Sequence, residues 1–299
     1  MASNTLAIPA QTIRRSGFRL ISVALLALVF SKAATAIPLP IPGNFDFTFA
    51  AGTGKITNLA IGASKDRAFA TALQSDGNIV LAGECSNGTN NDFCVARLNA
   101  DGSLDASFTG PGGLAAGKFL LPMGTGDDGA RSIAIQPDGK IVLAGTCHNG
   151  VNNDFCIARL NPNGSRDSSF TGPGGGGNGL FLLSIGASED NAAVVALQPD
   201  GKIVLAGSCY NVSDYDFCAV RLNANGTIDA SFVGPAGNGN GKFLLPIGLK
   251  HDYATTMAVQ SDGKILLAGY CLSAMNDQDF CAARLNADGS FDTGFSGPS

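Results

Sequence analysis

Short apolar runs alternate with polar, glycine-bearing punctuation along most of this chain, and the runs follow a period of two. Ile133 and Ile135, matched 62 residues later by Val195 and Leu197, alternate with smaller residues and predict a strand with one strongly apolar face. Gln136-Pro137-Asp138-Gly139 follows, and because Asp-Gly readily supplies positive φ angles, a tight two-residue turn is predicted at Asp138-Gly139. The run IVLAG at 141–145 is apolar throughout, which predicts a strand covered on both faces. DFCIARLN at 154–161 predicts a further strand, followed by an Asn-Gly turn and a D-x-x-F element at 167–170. The segment KFLLPMG at 118–124 precedes this series and is predicted to be the first of four strands in the unit.

The whole set recurs. QSDGNIVLAGEC (74–85), QPDGKIVLAGTC (136–147), QPDGKIVLAGSC (198–209) and QSDGKILLAGYC (260–271) place Gln74, Gln136, Gln198 and Gln260 at a spacing of 62 residues. Self-similarity at a fixed period of this size marks a propeller, solenoid or array. The predicted organisation is an all-β chain with a lead-in at 37–49 and repeats at 50–110, 111–172, 173–234 and 235–299. Four-stranded sheets in series, joined by glycine-rich connectors such as GPAGNGNG (234–241), suit a small four-bladed β-propeller. The alternative is an open stack of β units, with dimerisation as one way to close it. GNFDFTF (43–49) reads as an extra D-x-x-F element that would overlap the last blade and fasten the ring.

Q-p-D-G-K-I-v-l-A-G, followed by D-F-x-x-A-R-L-N-x-D-G-s-x-D-x-x-F, resembles the delta-60 repeat of exported, mainly bacterial proteins, over about residues 43–299. The resemblance implies a propeller-like β-repeat of unassigned biochemical role, with no catalytic residues to carry over. The regular cysteines are not part of that pattern.

Residues 14–36 change the picture of where the protein works. Arg14, Arg15 and Arg19 precede an apolar stretch from Leu20 to Phe30 and a small-x-small site at Ala34-Thr35-Ala36, so residues 1–36 are read as a secretory signal. Those 11 apolar residues fall short of the roughly 20 a spanning helix needs. Removing the signal takes the net charge from −5 to −9, because it carries four basic residues and no acidic ones. An acidic chain without a basic patch disfavours nucleic acid and anionic membrane.

All eight cysteines lie in the repeats, two per unit. Cys85 and Cys94, Cys147 and Cys156, Cys209 and Cys218, and Cys271 and Cys281 each flank a polar loop. An even count behind a signal predicts four local disulfides and an oxidising compartment. Zinc sites favour tighter spacings, and the two histidines, His148 and His251, are not repeated, so no metal or cofactor is expected. Arg97, Arg159, Arg221 and Arg284 share one repeat position; an anion site is one reading, but pairing with an Asp of the D-x-x-F element (Asp105, Asp167, Asp229, Asp292) or of D-F-C is the stronger expectation. The Asp-Gly turns at 99–105 and 286–292 have calcium-like spacings, yet Asn163 and Asn225 replace Asp in the other units, which favours turn chemistry. Gly112–Lys118 matches a phosphate loop by letter, but Phe119 stands where Ser or Thr is needed.

No catalytic set emerges, because acid–base chemistry needs an asymmetric arrangement and almost every Asp recurs with the repeat. Variation is concentrated in the inter-cysteine loops, where Tyr210, Tyr215, Tyr270 and Met275 are the candidate ligand-binding residues. The expectation is a non-enzymatic exported binding or scaffold module with an extracellular glycan or protein as partner. A propeller-type hydrolase or lyase using carboxylates is the alternative.

Overall fold

The structure, a computed structural model, describes residues 45–113, 116–173, 177–237 and 239–296; the expected signal and its cleavage site lie outside the described residues. The described chain is all β. The first sheet is β1 (Asp66–Leu73), β2 (Ile79–Ser86), β3 (Asn91–Leu98) and β4 (Lys118–Leu121). The second is β5 (Asp128–Ile135), β6 (Ile141–His148), β7 (Asn153–Leu160) and β8 (Leu180–Leu183). The third is β9 (Asp190–Leu197), β10 (Ile203–Tyr210), β11 (Tyr215–Leu222) and β12 (Lys242–Leu245). The fourth has three strands among the described residues: β13 (Asp252–Val259), β14 (Ile265–Leu272) and β15 (Gln278–Leu285). Each sheet is an antiparallel meander in chain order.

Two local expectations are corrected. The KFLL segment is the last strand of the sheet before it, since β4 pairs with β3 through Phe93–Leu121 and Ala96–Lys118. Its counterpart at the start of repeat 1, KITNLAIG at 55–62, forms no strand. The hairpin loop is also wider than predicted. Gln136 N donates to Lys140 O (2.8 Å) and Gly139 N to Gln136 O (2.8 Å), with positive φ at Gly139 (81°) but not at Asp138. That is a three-residue loop ending in a left-handed glycine, the next most common hairpin geometry after the two-residue one.

The glycine of the L-A-G-x-C motif has a specific cause. A register shift between Ala130 and Ser132 turns the carbonyl of Gly129 towards Gly145, where a side-chain carbon would collide with it. The same collision awaits at Gly83, Gly207 and Gly269.

The core lies between sheets. Val80, Ala82, Phe93, Val95, Phe108 and Leu121 of unit 1 interlock with Ala130, Ile141, Leu143 and Leu160 of unit 2. Equivalent clusters join unit 2 to unit 3 and unit 3 to unit 4. Polar locks cross each junction: Arg97 Nη1 donates to Pro162 O, and Thr109 N to Asn163 O at 2.9 Å. Phe108 rests against Gly164 of the next unit, as Phe170 rests against Gly226.

The four disulfides form as predicted, at the roots of the β2–β3-type loops. Cys85 is bonded to Cys94, Cys147 to Cys156, Cys209 to Cys218 and Cys271 to Cys281, with Cα–Cα separations of 5.7–5.8 Å. The pairing follows from the hairpin register: Cys94, Cys156, Cys218 and Cys281 stand opposite Gly83, Gly145, Gly207 and Gly269, two residues before the first cysteine of each pair. The bond is therefore a diagonal across two adjacent antiparallel strands, within the Cα separation that a disulfide spans. Cys156 and Cys218 are fully buried and Cys94 is 3% exposed, whereas Cys281, in the terminal sheet, is only partly buried. The recurring arginines are structural. Arg97, Arg159 and Arg221 are buried, donate from Nε to Asp105, Asp167 and Asp229 at 2.7–2.8 Å, and lie over Phe108, Phe170 and Phe232 at 4.4–4.6 Å.

Consecutive sheets pack through β1 on β5, β5 on β9 and β9 on β13, and the sheets do not close into a ring. Of the two predicted arrangements, the blades are propeller-like but the array is open. The lead-in does not fasten the last blade either: Phe49 rests against Gly102 of unit 1, and Ala50 N donates to Asp101 O at 2.7 Å.

Candidate functional site

The innermost strands β1, β5, β9 and β13 and their neighbours border a concavity of about 650 Å³. Core positions of the repeat keep their chemistry from unit to unit, but several of the positions facing this hollow do not. Phe69, Arg131, Ala193 and Thr255 share one repeat position, and Glu84, Thr146, Ser208 and Tyr270 another. Side chains pointing away from the blade-to-blade core are released from packing constraints, so they can differ.

One wall carries Tyr253 and Tyr270, from which an aromatic ladder runs beyond the hollow's lining to Tyr215 and Tyr210. Tyr253 stacks on Tyr270 at 4.9 Å between ring centroids and meets Tyr215 at 5.4 Å; Tyr215 in turn meets Tyr210 edge-on at 5.4 Å. His251 joins at 5.7 Å from Tyr215, and its Nδ1 accepts the Tyr215 amide at 3.0 Å. The rings are half-buried, each leaving part of its surface open. Burial first, then the charge of Glu189 and the neighbouring Tyr210, pushes the Tyr215 phenol up; burial, then Tyr270 and Tyr215, does the same at Tyr253. These two phenols therefore stay protonated at neutral pH as donors.

The opposite wall is charged. Arg131 lies over the Phe69 ring at 4.1 Å and pairs with Glu84 at 3.3 Å, while Arg67 pairs with the same carboxylate at 2.9 Å. Asp128, at the edge of the hollow, accepts the Met123 and Gly124 amides at 2.9 and 2.7 Å. Its pKa is nonetheless raised, because burial outweighs those bonds and Asp92 adds repulsion. Asp190 is raised in the same way, with Asp154 as its neighbour.

Tyr210, Tyr215 and Tyr270, predicted from the loops, are thus brought together, with Tyr253 as the link. Met275 stands apart from the ladder, 85% exposed on its loop. Tyr253, Phe69, Arg131 and Glu84 were not singled out by sequence, and His251 only as an unrepeated histidine. Their signal was there: once the units are aligned at 62 residues, strand positions that break the repeat stand out as clearly as the loops. In the Asp-Gly turns, Asp101 Oδ1 accepts the Ser103 amide and hydroxyl at 2.9 and 2.6 Å, so that carboxylate is engaged by its own turn. The buried arginines do not reach the hollow's lining.

A family profile described as "Domain of unknown function (DUF5122) beta-propeller" matches residues 74–108, 136–170, 198–232 and 260–295. No curated protein matches the chain. Among solved structures, virginiamycin B lyase from Staphylococcus aureus is similar at 14% identity and a TM-score of 0.40, over 77% of this chain and 57% of the lyase. An endo-1,4-beta-xylanase from Bacteroides thetaiotaomicron is 14% identical with a TM-score of 0.37, over 76% of this chain and 73% of that one. An endo-arabinanase from Bacillus licheniformis is 13% identical with a TM-score of 0.34, over 74% of each chain. The chain thus spans just over half the length of the lyase it matches. With the DUF5122 profile matched once per unit at the period of the sheets, the chain is one of the propeller-like β-repeat proteins.

Proposed function

We propose that this protein is an exported, non-enzymatic recognition module that holds an extracellular glycan against the tyrosine wall of its central hollow. The narrower delta-60 assignment belongs to the same proposal. The observation that carries it is the ladder of Tyr210, Tyr215, Tyr253 and Tyr270, assembled at positions where the repeat is otherwise free to vary. Aromatic faces present rigid apolar area to the C–H face of a sugar, and phenols add donors. Asn153, Asn191, Ser208 and Thr255 line the same hollow and supply the neutral polar groups that hydroxyls need. Four disulfides suit an oxidising compartment such as the periplasm, cell surface or medium.

A hydrolase or lyase reading has one supporting feature, the raised carboxyl of Asp128 beside the hollow. Asp66, Asp190 and Asp252 make the same amide bonds in their own units, which supports a structural role for this position.

The test is saturable binding of the disulfide-intact protein on an array of glycans and cell-wall polymers, with reducing-end release followed on each hit. Binding without release is expected, and the Tyr253→Ser, Tyr270→Ser pair should weaken it at least tenfold with the melting temperature nearly unchanged. Product release abolished by Asp128→Asn would replace this reading with the enzymatic one, and tight binding to peptides alone would move the ligand class.

A further inference from the structure

The two ends of the open array are faces that the inner junctions cover. In units 1, 2 and 3, Phe93, Phe155 and Phe217 are fully buried against the next unit, whereas Phe280, at the same position in unit 4, is 102% exposed. Phe295, the counterpart of the buried Phe108, Phe170 and Phe232, is 40% exposed. At the other end Ala68 is exposed, while its counterparts Ala130, Ala192 and Ala254 are buried at 0–3% beneath the preceding unit. Around Ala68 an open groove of about 290 Å³ runs past Ile56, Leu59 and Leu81. One end is therefore the face a unit gives to its successor, and the other is the face a unit offers to its predecessor.

The lead-in shows what is missing. It sits on unit 1 as the edge of a preceding unit would. Phe49 takes the seat on Gly102 that Phe108 takes on Gly164, and Ala50 N donates to Asp101 O as Thr109 N does to Asn163 O. Lys118 Nζ meets Ala60 O as Lys242 Nζ meets Ser184 O (2.6 Å), at the end of β8. Residues 56–59 thus stand where an outer strand belongs but have no strand beside them. Unit 4 has the converse deficit: among the described residues no outer strand pairs with β15.

We propose that a second copy of the chain fills both deficits: unit 4 of one copy packs on unit 1 of the other, and residues 56–59 complete the sheet of β13, β14 and β15. Two-fold symmetry makes the reverse junction at the same time, so two chains close one ring of eight units and leave neither face open. Charge agrees with this pairing. The side chains of Asp127, Glu189 and His251 accept an amide from the preceding unit at the inner junctions. Unit 1 has Lys65 at that position, and the segment it would face, Asp277-Gln278-Asp279, is acidic. In the pair Phe295 takes the Gly102 seat from Phe49. Phe295 belongs to an element fixed by Arg284–Asp292 at 2.7 Å and Lys264–Asp292 at 2.9 Å, whereas among the described residues Asp46 bonds within its own turn, to Thr48 and Phe49.

Sedimentation equilibrium or light scattering of the purified, disulfide-intact protein at tens of micromolar tests this. The expected mass is that of two chains. Phe280→Asp and Ala68→Glu each change a side chain that is exposed in the single chain, so both variants should fold and run as one chain, melting below the wild type only by the stabilisation that the two inter-chain junctions add. An equimolar mixture should return to the two-chain mass, because one junction then contains neither substitution. A one-chain wild type, an open-ended polymer, or a mixture that stays at one-chain mass while the wild type pairs would overturn the proposal.

Discussion

The carboxylate of Asp229 accepts the Ser231 amide and hydroxyl at 3.1 and 2.7 Å and Arg221 Nε at 2.8 Å, while Lys202 stands 3.2 Å away. Burial alone would raise its pKa, but these donors and the Arg221 charge outweigh it and take it down to about 2. An unfolded Asp titrates near 3.9, so between about pH 4 and pH 2 the unfolded chain takes up a proton that the folded chain refuses. This group's stabilisation is complete above that window and is lost as the pH falls through it. Asp128, Asp190 and Asp216 act in the opposite sense: burial raises them, so their ionisation weakens the fold as pH rises. Asp229→Asn leaves Arg221 buried without its ion pair, and a loss of about 3–5 kcal/mol at neutral pH is expected. In thermal melts from pH 5 to pH 2 the variant should lose less than the wild type does. An equal acid loss would show that Asp229 does not carry this term.

Among the elements, the hairpin of β5 and β6 depends on backbone approach as much as on side chains. Gly145 is required because the bulge after Ala130 turns a carbonyl onto it. Gly145→Ala should cost about 1–3 kcal/mol as the strands shift to admit a methyl group, read as a lower denaturant midpoint with an unchanged slope. A smaller loss would mean that the bulge can slip. The strands themselves were legible because their apolar period and the Asp-Gly and Asn-Gly punctuation are local signals. The sheet to which KFLL belongs was not. A four-residue strand separated from β3 by a long glycine-rich connector can join either neighbour equally well in sequence, and the Phe93–Leu121 register decides it.

At the scale of the molecule, the main packing between sheets of the described residues runs between consecutive units, so stability is approximately a sum of unit and junction terms. The terminal units have one junction each. In the doubly substituted Phe280→Asp, Ala68→Glu chain, hydrogen exchange should therefore be fastest at β15 and β1 and slowest at β6, β7 and β10; uniform protection would contradict a junction-limited array. The sequence by itself determined the all-β class, the four units and the disulfide pairs, because each rests on contacts within one repeat, and it narrowed the arginines' partners to two aspartates of the same repeat, between which the structure chose that of D-x-x-F. Only the tertiary structure decided that the array stays open, that the lead-in sits on unit 1, and that Tyr210, Tyr215 and Tyr270 meet through Tyr253. The curvature of a stack and the meeting of Tyr215 with Tyr253, 38 residues apart, depend on how one blade is set against the next, and a perfect repeat carries no local signal for that angle.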